Sequence, residues 1–202
     1  MNNDQLTCYM QEIAMHGLGA EIQFENFIQY VKNKETRQTR LVWSYLSSFL
    51  SHTAMISKFV SPTSHSDVKR RRKEALRKVL EINQASEVLS REARNNIEHF
   101  DERIDNWVEP EGYLEVVFPD KSTALGFMRD GIRIKRVLAL NELIFFSENK
   151  DGSKFELELI PLFKEAKRIG DKATEWLHNS SPHNFIFPSD NIVIIKQRMN
   201  IE

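Results

Sequence analysis

The segment Arg94-Asn95-Asn96-Ile97-Glu98-His99 places a guanidinium, an amide and an imidazole within one short stretch of chain. An imidazole titrates near neutral pH, so it can take up a proton and return it. A guanidinium offers fixed parallel donors that match phosphate oxygens. These residue types suit general-base catalysis beside a phosphate, with His99 as the base and Arg94 as the phosphate ligand.

The residues around this segment predict one amphipathic helix, which begins near Ser86 and ends before Pro110. At about 100° per residue its apolar side chains share one stripe, and His99 lies roughly opposite that stripe. The stripe consists of Ala93, Ile97, Phe100, Ile104, Trp107 and Val108. His99 is then either an ordinary histidine on a solvated face or part of a cleft or two-fold interface.

The pattern R-N-x-x-x-H resembles the signature of HEPN domains, helical bundles in which a short spacer separates an arginine from a histidine. The resemblance covers residues 91–108 and implies a metal-independent ribonuclease for single-stranded RNA, without a cofactor or a bound metal. It implies that His99 takes the proton from a ribose 2′-hydroxyl and that Arg94 holds the scissile phosphate. Asn95 would orient the histidine or a phosphate oxygen.

The resemblance also implies a toxin or phage-defence setting, with an antitoxin or another protein as partner. On one helix Arg94 and His99 diverge by about 140°, which favours a homodimer whose motif helices face each other. One alternative is a non-catalytic HEPN-like dimeric bundle that binds a nucleotide, RNA or a partner protein. Another is an unrelated helical interaction module. Acidic Glu98, Asp101 and Glu102 weigh against the nuclease, because they crowd a surface that must accept phosphate.

The rest of the chain predicts a mainly α fold, an up-and-down helical bundle with a small inserted antiparallel β-meander. The expected helices of the bundle (1–110) cover residues 6–32, 36–59, 67–83 and 86–109. Gly17 and Gly19 are expected to kink or break the first of these helices. The expected meander (111–160) contains strands 113–118, 132–140, 142–147 and 154–160, with a hairpin turn at 150–153. A closing helix (161–180) and an extension or edge strand (181–202) follow.

The densest basic run lies at the start of the third expected helix. It is predicted to bind the RNA backbone through several phosphates, or else to be a solvated helix start. The predicted RNA-binding residues are Lys69, Arg70, Arg71, Arg72, Lys73 and, from the motif helix, Arg103. Because the net charge of the 202 residues is −1, any such binding depends on a local patch.

Other features narrow the classes of function. The single cysteine, Cys8, excludes an intrachain disulfide and a multi-cysteine zinc site. Glu175 and His178 have the spacing of a di-iron ligand pair, but the sequence has no second pair. His16 is expected to be structural and His52 shows no partner spacing. No secretory segment or apolar run of membrane length is present, so the sequence predicts a cytoplasmic protein without membrane contact.

Overall fold

The computed structural model describes residues 1–33, 38–63, 66–90, 104, 113–128, 132–149 and 151–182. Its helices are α1 (Asn3–Lys32), α2 (Thr39–Val60), α3 (Asp67–Val79), α4 (Lys121–Phe127) and α5 (Leu159–Ser180), with a 3₁₀ turn at Glu87–Leu89. Its strands are β1 (Tyr113–Phe118), β2 (Arg133–Ala139), β3 (Ile144–Glu148) and β4 (Lys154–Glu158). The fold is mostly helical with a small mixed sheet.

Helix α1 is continuous, so the expected break at Gly17 and Gly19 is wrong. A capping box starts the helix, because the Asn2 side chain accepts from the Gln5 backbone N–H at 2.9 Å and the Gln5 side chain accepts in return. A Cβ at position 17 would lie 2.4 Å from the Cα of Gly170 in α5. Gly17 therefore lets two helix backbones approach closely and does not interrupt the helix.

Helices α2 and α5 both run antiparallel to α1. Contacts between α1 and α2 pair later α1 residues with earlier α2 residues, as in Tyr9–Phe59, Phe24–Phe49 and Tyr30–Tyr45. Contacts with α5 show the same order, as in Gly17–Gly170, Glu21–Lys167 and Phe24–Phe163. The shared core buries Met10, Ile13, Phe27, Leu46, Phe49, Ile56 and Leu162 to 2% exposure or less. These three helices form the antiparallel part of the bundle.

The sheet is mixed, with the order β1-β2-β3-β4, whereas the sequence suggested a purely antiparallel meander. Strands β1 and β2 are parallel, and β2, β3 and β4 are antiparallel. The cause is α4, a short helix that the periodicity did not indicate and that Asp120 caps by accepting from the Thr123 N–H at 2.8 Å. A connection that contains a helix can return the chain to the start of a parallel neighbour, which a tight turn cannot.

The β3–β4 hairpin was anticipated, and the turn residues that the structure describes confirm it. Gly152 has φ +84°, in the left-handed region that favours glycine, and its N–H donates to the Asn149 carbonyl at 3.0 Å. Strand β4 alternates as expected: Phe155 and Leu157 are buried, whereas Lys154, Glu156 and Glu158 are exposed. The buried pair packs into the helical core, so the sheet and the three helices share one apolar interior.

The opposite face of the sheet has its own small apolar cluster beneath α4. This cluster includes Phe118, Ala124, Met128, Ile134, Val137 and Phe146. Among the described helices, none has the length and apolar composition that crossing a bilayer requires.

Candidate nucleic-acid interface

The predicted catalytic residues Arg94, Asn95 and His99, together with Arg103, lie outside the described residues. The structure does describe the chain that leads to them. After α3 the chain passes through the 3₁₀ turn Glu87–Leu89 and reaches Ser90. The geometry of this approach is therefore known, and the predicted roles of the motif residues stay predictions.

Helix α5 fixes this approach segment through one charged cluster. The Ser86 hydroxyl donates to Glu165 Oε1 at 2.6 Å, and Arg168 donates to both carboxylate oxygens of Glu165. Arg168 Nη1 also donates to the Leu80 carbonyl at 3.0 Å. The hydrogen bonds from Arg168 hold the pKa of Glu165 below its ordinary value, although burial opposes them. The start of the motif segment is thus tied to the three-helix core.

A left-handed residue ends α3 and makes a second link to α5. Glu81 has φ +52°, and the Ile82 N–H donates to the Arg77 carbonyl at 2.9 Å, which is the closing bond of a Schellman motif. Glu81 forms an ion pair with Lys172 of α5, whose hydrogen bond and charge lower the pKa of the Glu81 carboxyl. Helix α3 is therefore held at both ends, since Ser66 caps its start by accepting from the Lys69 N–H.

Two arginines of α3 stabilise the end of α2. Arg72 Nη2 donates to the Lys58 carbonyl at 3.0 Å, and its guanidinium lies over the rings of Tyr9 and Phe59, at 5.4 Å and 5.7 Å from their centroids. Arg77 Nε donates to the Val60 carbonyl at 2.8 Å. Both side chains satisfy carbonyls that the end of a helix leaves without a backbone donor.

Arg70 also has a local partner, whereas the side chains of the four remaining α3 cations have none among the described residues. Arg70 Nη2 pairs with the Asp67 carboxylate at 3.0 Å in an exposed i,i+3 contact. Within the part of the chain that the structure describes, no hydrogen bond or ion pair involves the side chains of Lys69, Arg71, Lys73 and Lys78. The basic side chains of α3 therefore fall into two groups: those held by internal contacts and these four, which are free to bind a ligand. The sequence alone could not separate the two groups.

The free cations do not share one line along α3. Leu76 is fully buried and marks the side of α3 that faces the core. Arg71 and Lys78 lie roughly opposite it, about 10 Å apart along the helix axis. Lys69 and Lys73 lie about 20° and 60° from Leu76, towards the core-facing side, and are half-buried. The helix carries seven basic and two acidic side chains, a net +5 in a chain whose total is −1. Helix α3 is therefore a local positive patch on a nearly neutral protein.

A histidine pair that sequence inspection did not detect lies where α1 crosses α2. The Nδ1 atoms of His16 and His52 are 3.0 Å apart, and the ring centroids are 5.2 Å apart. Thirty-six positions separate the two residues, so no local spacing could have indicated the contact. Among the described residues, no group of three or more histidine, cysteine or carboxylate side chains could hold a metal. Glu175 and His178 are therefore not joined by a third such ligand within this part of the chain.

Comparison of this chain with protein-family models, with curated proteins and with solved structures finds no match. The HEPN resemblance therefore rests on the residues of the motif alone.

Proposed function

We propose that this protein is an RNA-binding, HEPN-like endoribonuclease that needs no metal and cuts single-stranded RNA. The observation that supports RNA binding best is the set of free cations on α3. Lysine and arginine side chains without carboxylate partners can neutralise backbone phosphates without breaking an internal ion pair. Contacts from such side chains to phosphates fix a nucleic acid on the surface and carry no sequence information of their own.

The cleavage step of the proposal depends on the motif residues. His99 removes the proton from a ribose 2′-hydroxyl, whose oxygen attacks the adjacent phosphorus, and Arg94 stabilises the charge that develops on the phosphate oxygens. The bond from phosphorus to the 5′-oxygen breaks, the protonated imidazole returns its proton to that leaving oxygen, and a 2′,3′-cyclic phosphate remains. Asn95 orients the imidazole or a phosphate oxygen. Because Arg94 and His99 diverge around one helix, the proposal includes a homodimer in which two motif helices face each other.

A second candidate is a HEPN-like dimeric bundle that binds RNA, a nucleotide or a partner protein without cutting. The acidic residues Glu98, Asp101 and Glu102 favour it, because their charges disfavour a phosphate beside the motif. RNA binding without cleavage is the result that separates this candidate from the nuclease.

The contribution of α3 can be tested with two double variants that remove the same charge. Arg71→Gln with Lys78→Gln removes two free cations from the exposed side of α3. Lys32→Gln with Lys164→Gln removes two exposed cations, likewise without a described partner, from α1 and α5. For single strands each lost phosphate contact lowers the slope of log affinity against log salt by about 0.7, so the α3 variant should lose about 1.4.

The assay is fluorescence anisotropy with a labelled mixed-sequence single-stranded RNA across a series of salt concentrations. The α1/α5 variant should keep the wild-type slope within error. If the two double variants lose equal affinity, general charge explains the binding and α3 is not the interface. If the α3 variant binds as the wild type does, the patch takes no part.

A further inference from the structure

His16 and His52 point their Nδ1 atoms directly at each other. The ring centroids are 5.2 Å apart and the nitrogens 3.0 Å apart, and the difference is roughly the sum of two imidazole radii. Each nitrogen therefore lies close to the line that joins the ring centres. Two bare lone pairs repel at this distance, so one Nδ1 must carry a hydrogen and donate it to the other.

This head-on arrangement suits a shared proton better than a chelated metal. Two nitrogens bound at about 2.0–2.1 Å to one tetrahedral Zn²⁺ lie about 3.3 Å apart, and their lone pairs converge on a point beside the line between them. The lone pairs of His16 and His52 lie close to that line instead. The geometry is that of an N–H···N hydrogen bond.

Gly19 creates the space that lets the two rings meet. A Cβ at position 19 would lie 2.4 Å from Cε1, 2.6 Å from Nδ1 and 2.7 Å from Nε2 of His52. Any larger residue would push the imidazole of His52 off the surface of α1 and away from His16. Because α1 is a regular helix here, close approach and not backbone conformation requires this glycine.

We propose that His16 and His52 form a proton-sharing clasp that joins α1 to α2 and opens when both imidazoles become protonated. In the neutral pair one ring carries its hydrogen on Nδ1 and the other on Nε2. A first added proton binds Nε2 of the donor ring, which leaves the N–H···N bond in place and adds charge to the donor. A second proton can bind only the accepting Nδ1, and two N–H groups then face each other.

The surroundings of the clasp favour the neutral state near pH 7. Burial lowers the pKa of both histidines, His52 lowers the pKa of His16 further, and Glu12 on α1 raises it. Glu12 is the only carboxylate among the described residues whose charge acts on the pair. On α5, which packs against α1 at Gly17, Lys167 is paired with Glu21 and Asp171. The clasp is therefore closed at neutral pH and opens in acid.

The test is an NMR titration of the full ¹⁵N-labelled, EDTA-treated chain from pH 8 to pH 4. At pH 7 one of the two rings should be the Nδ1–H tautomer and the other the Nε2–H tautomer. Protonation should occur in two coupled steps, with midpoints separated by more than about one pH unit. His178→Ala, which removes an exposed histidine of α5, should leave both steps unchanged.

Two further variants keep the proposal falsifiable. Gly19→Ala should separate the rings, so that each histidine titrates in one independent step. If Gly19→Ala does not fold, His52→Asn serves instead, because its amide oxygen still accepts from His16 but does not titrate. In that variant the backbone amide signals of the residues where α1 and α2 cross should keep their native positions to lower pH than in the wild type. Independent single steps in the wild type, or equal acid sensitivity of wild type and His52→Asn, would overturn the proposal.

Discussion

The close crossing of α1 and α5 makes a sharp prediction about two glycine substitutions. Gly17→Ala places a methyl group 2.4 Å from the Cα and 3.2 Å from the N of Gly170. Both atoms are backbone, so no side-chain rotation can relieve the overlap, and the helices must separate. Gly126→Ala in α4 is the matched control, because a Cβ there meets nothing within 4 Å.

The magnitudes follow from two opposing terms. Replacing a helical glycine by alanine stabilises a helix by about 0.5–1 kcal/mol, and this gain applies in some measure to both variants. Overpacking in a dense core costs about 1–3 kcal/mol, and this cost applies only to Gly17→Ala. We expect Gly126→Ala to be neutral or slightly stabilising. We expect the unfolding free energy of Gly17→Ala to lie at least about 1 kcal/mol below that of the control.

Urea unfolding, monitored by circular dichroism, gives the free energy of unfolding of both variants. The comparison holds when the slope of this free energy against urea concentration is the same in each variant. Gly170→Ala offers an independent check, because its Cβ would lie 2.7 Å from the Cα of Gly17. If Gly17→Ala stabilises the protein as much as Gly126→Ala does, the two helices do not cross at these glycines. The close approach of α1 and α5 at Gly17 and Gly170 would then be wrong.

Three further predictions concern Arg72, Glu165 and His52. Arg72→Gln should lower the unfolding free energy by about 1–2 kcal/mol, since it removes the hydrogen bond to a helix-end carbonyl and the contacts of the guanidinium with two rings. Arg71→Gln should change it by less than about 0.5 kcal/mol. The pKa of Glu165 is lowered in the folded state, so the ionised carboxylate stabilises the fold above its ordinary pKa of 4.5, and this stabilisation is lost as pH falls. The free energy of unfolding in urea should therefore fall less between pH 6 and pH 3 in Glu165→Gln than in the wild type. The pKa of His52 is also lowered, so this histidine binds a proton in the unfolded chain before it does in the folded protein, and acid below pH 6.5 favours unfolding. Between pH 7.5 and pH 5 the melting temperature should therefore fall less in His52→Asn than in the wild type. Equal pH dependence in a variant and the wild type would refute the corresponding assignment.

The helices were largely predictable because their signals are local. The apolar repeat of α2, for example, is visible in a short window of sequence. The helix α4 was missed because seven residues show barely two turns of periodicity, and with it the parallel pairing of β1 and β2 was missed. Gly17 was interpreted as a break because its true role depends on Gly170, which lies far along the chain.

The basic run shows the same limit within the candidate interface. Sequence identified the cluster from Lys69 to Lys73 but treated its members as equivalent. Which of them is available depends on contacts with α1 and α2, and these contacts assign Arg72 to the end of α2. The His16–His52 contact likewise joins two helices, so neither residue carries a signal of its own. Local patterns therefore predicted most of the elements, and tertiary contacts decided which side chains are free.

The central claim is metal-independent cleavage of RNA by the motif residues. The measurement that tests it most directly is incubation of mixed single-stranded RNA with the EDTA-treated protein, alongside His99→Ala and the exposed control His178→Ala. The account predicts cleavage by the wild type and the control, with 2′,3′-cyclic phosphate or 3′-phosphate ends, and none by folded His99→Ala. Undiminished cleavage by His99→Ala, a requirement for added metal, or no cleavage by a folded wild-type dimer would contradict it.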